Sequence, residues 1–61
     1  MQEYEIHVFA SYITSGGSKE WNAFKEYITA KSPAEARKLL KAELKAEGYH
    51  NITMSDTIAT N

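Results

Sequence analysis

Two histidines, one aspartate and five serines are the residues of this chain suited to acid–base or nucleophilic chemistry. The histidines are His7 and His50, and the aspartate is Asp56. A catalytic serine needs a neighbouring base and a turn that exposes its hydroxyl, and no such motif surrounds these serines. Two imidazoles and one carboxylate would make a weak metal site, because metal sites usually have three or four well-placed ligands. We therefore expect no enzymatic activity, no metal and no cofactor.

Basic residues recur at helical spacing in the second half of the sequence, at Arg37, Lys38, Lys41 and Lys45. On a helix they would share the outward side, and we call this set the basic ridge. Such a ridge either binds phosphate groups or is a solvated face whose like charges at i, i+4 cost a little stability. The spacing favours the solvated face, because tracts that bind nucleic acid are usually denser in cations.

Acidic residues form a second pattern around the same segment. Glu43 and Glu47 are spaced so that they project toward the sheet side of a helix near its end. They can pass the edge of the core into solvent, or form an acidic patch together with Asp56. Such a patch would suit a basic surface on a partner.

Apolar side chains are more numerous than one helix can cover. Phe9, Ile13, Trp21 and Tyr27 fall at odd positions of two alternating segments, so they should share one side of a sheet. We call the side of the sheet away from the helix the open face. It holds these four residues together with His7 and Lys25. Exposed aromatic patches are typical of protein interfaces, because Trp and Tyr often anchor them. Base stacking is disfavoured because Glu3, Glu5 and Glu20 outnumber the nearby cations Lys19 and Lys25.

Two alternatives to partner binding remain for these rings. The open face would be buried in a homodimer if two sheets packed face to face. Otherwise Tyr12, Trp21 and Tyr49 would only seal the margins of the core and leave a modest patch.

The elements that position these residues begin with a hairpin. Residues 3–14 and 19–30 alternate with a period of two and are rich in β-branched and aromatic residues, which predicts two strands. Between them lies Ser15-Gly16-Gly17-Ser18, a turn sequence. A two-residue turn would pair odd with even positions. A three-residue loop of residues 16–18 pairs even with even, puts Ile6 opposite Ile28 and yields one apolar face, so we predict it.

A helix is predicted from Ser32 to about Glu47. Ser32 is a good N-cap, Pro33 suits the first helical position and Glu35 completes a capping box. Gly48 suits the residue after the helix. The predicted buried stripe consists of Ala36, Leu39, Leu40 and Leu44.

A third strand is predicted over residues 50–58, with Ile52, Met54 and Ile58 reaching the core. The fold class is therefore α+β, with a ββαβ order and one helix packed on one face of a three-stranded, mainly antiparallel sheet. We predict the strand order 2-1-3, which places the most apolar strand in the centre. Glu26 would then point inward on an edge strand, where it discourages pairing with another sheet.

Composition sets the class of protein. The chain has 61 residues, a formal charge of −1 and no cysteine, which predicts a single small domain over residues 1–61 without disulfides. No apolar run approaches the ~20 residues of a membrane span, and the acidic start differs from a signal peptide. A cytoplasmic location is the expectation.

The stretch from Trp21 to Ile52 resembles small ββαβ proteins of phages and mobile elements, including some anti-CRISPR proteins, and is also similar to archaeal ribosomal protein LX. The shared positions are Ile28, Ala30, Ser32, Glu35, Ala36, Leu40 and Gly48. All have folding roles, so no functional residue is transferred.

These patterns together predict a non-enzymatic binding protein that occludes a surface on a larger host protein or protein–nucleic-acid complex. The resemblance implies the most specific version of this function, a phage-encoded inhibitor of host defence of the anti-CRISPR type. The expected contact residues are Phe9, Ile13, Trp21, Tyr27, Glu43, Glu47 and Asp56. The alternatives are an RNA- or ribosome-associated module that uses the basic ridge, and a structural homodimer.

Overall fold

The computed structural model describes residues 1–60 and contains three strands and one helix. The elements are β1 (Gln2–Ile13), β2 (Lys19–Ala30), α1 (Pro33–Ala46) and β3 (His50–Ala59). Both strand pairs are antiparallel and the sheet order is β2-β1-β3, which confirms the predicted α+β fold with β1 in the centre. Residue 61, the last of the predicted domain, lies outside the described residues.

The hairpin loop has the predicted length but begins one residue earlier. Thr14 N–H donates to the Ser18 carbonyl at 2.8 Å, and Gly17 N–H donates to the Thr14 carbonyl at 2.9 Å. The loop therefore comprises residues 15–17 instead of the predicted 16–18. The reason is backbone geometry: a three-residue loop ends in a left-handed residue, and Gly17 adopts that conformation with φ 85°. A loop over 16–18 would place Ser18 at this position, which favours glycine.

Moving the loop by one residue moves the strand register by two. Ile6 lies opposite Glu26, so the predicted pairing with Ile28 is wrong. Even positions still face even positions, and the division of side chains between the two faces is unchanged. Glu26 is half-buried beside Ile6 on an edge strand and points to the helix side, which confirms its predicted direction.

Local signals fix both ends of α1. Ser32 Oγ accepts from Glu35 N–H at 3.1 Å, and the Glu35 carboxylate accepts from Lys31 N–H at 2.9 Å. At the other end Gly48 has φ 97°, and Tyr49 N–H donates back to the last turn at 3.0 Å. These bonds satisfy backbone groups that a helix end leaves without partners, and they confirm the predicted bounds.

The core lies between α1 and one face of the sheet. Its buried residues are Tyr4, Ile6, Val8, Ala10, Ala30, Ala36, Leu40 and Leu44. Leu39 was predicted to belong to it, but its side chain is 45% exposed. A spacing of four along the helix centres the buried stripe on Leu40, and Leu39 lies about 100° away on the flank.

β3 departs from simple alternation at two points, opposite Ala10 and opposite His7. Val8 pairs with Met54 and Ile6 pairs with Thr57, so two residues of β3 oppose the single residue His7. This β-bulge reverses which side the following residues occupy. Ile58 consequently pairs with Glu5 on the open face and is 49% exposed, so its predicted place in the core is wrong. Ile52 and Met54 pack against the core as predicted.

Candidate functional site: the open face

An aromatic stack occupies the middle of the open face. The Phe9 and Trp21 ring centroids are 5.0 Å apart with an interplanar angle of 12°, and each residue remains 48% exposed. The Lys19 ammonium lies 5.2 Å from the Trp21 ring centroid, within cation–π range. The stack presents a rigid apolar surface to solvent, because each ring limits the rotamers of the other.

Aliphatic and aromatic residues extend this surface in both directions. Ile13 lies toward the hairpin, while Tyr27 and Ile58 flank Glu5 toward the other end. All four apolar residues predicted for the open face, Phe9, Ile13, Trp21 and Tyr27, are exposed there. Ile58 is the member that the sequence pattern missed. The sequence signal that could have revealed the bulge before Ile58 is Asp56, a charged residue at a position where simple alternation expects an apolar one.

The rings near the core divide into two groups. Tyr49 packs against Tyr12 with centroids 5.8 Å apart and against Phe24 at 5.4 Å, so Tyr12 and Tyr49 do seal the core margin. Trp21 takes no part in this seal and instead stacks on Phe9. The alternative in which all three rings only close the core therefore fails for Trp21.

A polar cluster borders the apolar surface. The Glu5 carboxylate accepts from His7 Nε2–H at 2.8 Å and from the Tyr27 hydroxyl at 3.1 Å. His7 Nδ1 lies 3.6 Å from an Asp56 carboxylate oxygen. The hydrogen bond from His7, followed by that from Tyr27, lowers the pKa of Glu5, while donation to Glu5 raises the pKa of Tyr27. The cluster keeps Glu5 ionised and orients the Tyr27 ring.

The acidic patch predicted from Glu43, Glu47 and Asp56 does not form one cluster. Asp56 lies beside His7 on the open face, whereas Glu43 and Glu47 are exposed on α1. The bulge in β3 is the cause, because it sets Asp56 opposite His7. Asp56 instead lies near Glu5 and Lys25 at the end of the open face that also holds Glu3, away from Lys19 at the hairpin end.

The two histidines do not converge on a metal site. His7 lies opposite Lys25, and His50 pairs with Ser11 four residues further along β1, about 13 Å away by strand geometry. No group of three or more His, Asp or Glu side chains within residues 1–60 is arranged to hold a metal ion. The open face presents apolar and charged side chains to solvent.

Comparisons with protein-family models, curated proteins and solved structures found no match to this chain. Within the described part of the chain, no helix has the length and apolar character to cross a bilayer.

Proposed function

We propose that this chain is a non-enzymatic binding protein that covers part of a larger partner protein with its open face. The observation that carries the proposal is the half-exposed Phe9–Trp21 stack, with Ile13 toward the hairpin and with Tyr27 and Ile58 beyond the polar His7–Lys25 pair. Monomeric proteins seldom expose several large apolar side chains on one face without a use. Its rings are already held in place by stacking and by the Glu5 bond, so little conformational entropy is lost on binding.

Charge indicates what kind of partner fits. Glu3, Glu5 and Asp56 outnumber the single cation Lys25 at one end of the open face, where phosphate groups would be repelled. The molecule is 40 Å along its longest axis, and the face is three strands wide. A narrow strip with an acidic end suits a protein groove that has apolar walls and basic residues at one end. The more specific role, an inhibitor of a host defence complex, follows from the resemblance alone and stays a prediction.

Affinity capture with matched variants tests the proposal. The immobilised chain is incubated with nuclease-treated lysate of the organism in which it acts, alongside Trp21→Ala, Tyr27→Ala and Leu39→Ala. Leu39 is the control, because its exposure of 45% matches the 48% of Trp21 but its side chain lies on α1. We expect a specific protein to be retained by the wild type and by Leu39→Ala, and to be lost from both open-face variants.

Two results would replace this proposal with another function. One is loss of all captured material after nuclease treatment, which would assign the chain to nucleic acid. The other is a melting temperature that rises with protein concentration in the wild type but not in Trp21→Ala, which would make the open face a homodimer interface. Equal retention by all four proteins would also exclude the open face as the contact.

A further inference from the structure

A groove of about 520 Å³ lies between the second half of α1 and the start of β3. Its lining consists of Lys41, Lys45, Tyr49, His50, Asn51 and Ile52. This volume is within the ~300–1,000 Å³ typical of small-molecule sites. None of the apolar residues of the open face contributes to it, so it is a separate surface of the molecule.

The groove is electropositive. Its charged lining residues are two lysines, and no carboxylate contributes to the lining. Among residues 1–60, neither Lys41 nor Lys45 has a carboxylate oxygen within 4.0 Å. Glu43 and Glu47 each lie two residues from one of these lysines, but at about 100° per residue that spacing places them on the opposite flank of α1. Both ammonium groups are therefore available to an anion.

The start of β3 is held in a fixed conformation beside the lysines. Ser11 is 1% exposed, and its hydroxyl donates to the His50 carbonyl at 3.0 Å and accepts from the Asn51 side-chain amide at 3.1 Å. Asn51 has φ 52°, a left-handed conformation that asparagine adopts more readily than most residues and that fits the β-bulge opposite Ala10. The two Ser11 hydrogen bonds hold this bulged backbone in place, so the groove wall is organised before any ligand binds.

The lining also contains two apolar side chains. Tyr49 and Ile52 are half-buried, and the Tyr49 ring is fixed by contacts with Tyr12 and Phe24. We propose that the groove binds a phosphate group carried by a planar base. Lys41 and Lys45 contact the phosphate as point charges, and the base lies against Tyr49 and Ile52. The source of such a group is either a free nucleotide or single-stranded nucleic acid.

NMR titration of the full chain tests this site. The probes are adenosine monophosphate, adenosine without phosphate, inorganic phosphate and a four-nucleotide oligoadenylate, followed through the backbone amides of residues 45–52. We expect saturable shifts with the monophosphate and the oligonucleotide, and none with adenosine. The variant Lys41→Gln/Lys45→Gln should weaken binding at least about tenfold, as expected for the loss of charged hydrogen bonds. Lys38→Gln is the matched control, because Lys38 is exposed on α1 outside the groove.

The two sources are distinguished by affinity. Tighter binding of the oligonucleotide than of the monophosphate identifies nucleic acid, whereas equal or weaker binding identifies a free nucleotide, and both support the site. Absence of saturable shifts, equal shifts with adenosine, monophosphate binding no tighter than that of inorganic phosphate, or an equal loss in Lys38→Gln would overturn the proposal. The site is independent of the open face, so Trp21→Ala should leave the titration unchanged.

Discussion

Alternate residues of β1 lie in two different environments. Ile6 and Ala10 are fully buried beneath α1, while Phe9 between them is 48% exposed on the open face. The apolar surface buried by the first group stabilises the fold. The second group has the same chemical character but gains little from folding, since solvent still reaches it. One strand thus divides its apolar residues between stability and, under the proposed function, recognition, and substitutions on its two faces should separate these effects.

The largest effect is expected in the core. Leu40→Ala removes a side chain that is 1% exposed, and such truncations cost about 2–5 kcal/mol. This is a large share of the roughly 3–9 kcal/mol expected for a domain of this size. Leu39→Ala, one residue away but 45% exposed, should cost less than about 1 kcal/mol. Urea unfolding followed by circular dichroism measures both, and equal losses would contradict the assignment of Leu39 to the surface.

The second-largest loss of stability is expected in the hairpin loop, which sets the register between β1 and β2. Gly17→Ala places a side chain at φ 85°, which should cost about 1–2 kcal/mol of unfolding free energy. A Cβ at Gly17 meets no atom within 4 Å, so the cost is backbone strain alone. Gly16 is the control, because its φ is not positive and an added Cβ makes only an ordinary contact with Thr14 at 3.9 Å.

Thermal unfolding of the two loop variants distinguishes them. Gly16→Ala should be neutral or stabilise the protein by up to about 1 kcal/mol, because alanine restricts the unfolded chain. If Gly16→Ala were the more damaging change, the loop would span residues other than 15–17 and the register would have to be reassigned.

Sequence patterns predicted those features that depend on neighbouring residues. The bounds of α1 follow from Ser32 and Gly48, whose capping roles are local, and alternation correctly assigned Phe9 and Trp21 to one side. The bulge in β3 was not predictable in this way, because it depends on how Asp56 and its neighbours fit against β1. For that reason the position of Ile58 was wrong.

The polar part of the open face was missed for a related reason. The bond between Glu5 and Tyr27 requires these residues to lie opposite each other, and the predicted register placed Tyr27 opposite His7 instead. A shift of two residues preserves which face a side chain occupies but changes its cross-strand neighbour. An error of two residues in the predicted register therefore leaves the predicted face of each side chain correct but makes the predicted cross-strand contacts wrong.

A smaller effect is expected within the open face itself. Stacked aromatic pairs contribute about 0.5–1.5 kcal/mol beyond the burial of their area. A double-mutant cycle of Phe9→Ala and Trp21→Ala should therefore show a coupling free energy of this size. Urea unfolding of the four proteins measures it. A coupling near zero would show that the rings do not stack in solution, and would weaken the case for a rigid binding surface.

The smallest effect is expected at the polar border, where Glu5 and Tyr27 are at the surface. Folding lowers the pKa of Glu5 from its usual 4.5, so its contribution to stability is present above that pH and lost as pH falls through the folded pKa. For Tyr27 the sign is opposite. Folding raises its pKa from 10.0, so its contribution is present below pH 10.0 and lost as pH rises through the folded value.

Carbon-13 NMR titration of the Glu5 carboxyl can separate the two hydrogen bonds that lower its pKa. Tyr27→Phe removes the weaker cause, so the pKa of Glu5 should rise but remain below 4.5 because His7 still donates. His7→Ala removes the stronger cause and should raise the pKa further than Tyr27→Phe does. An unchanged pKa in both variants would mean that Glu5 is free in solution. The Tyr27 ring would then lack its anchor, and the open face would be a flexible patch whose ordering opposes binding.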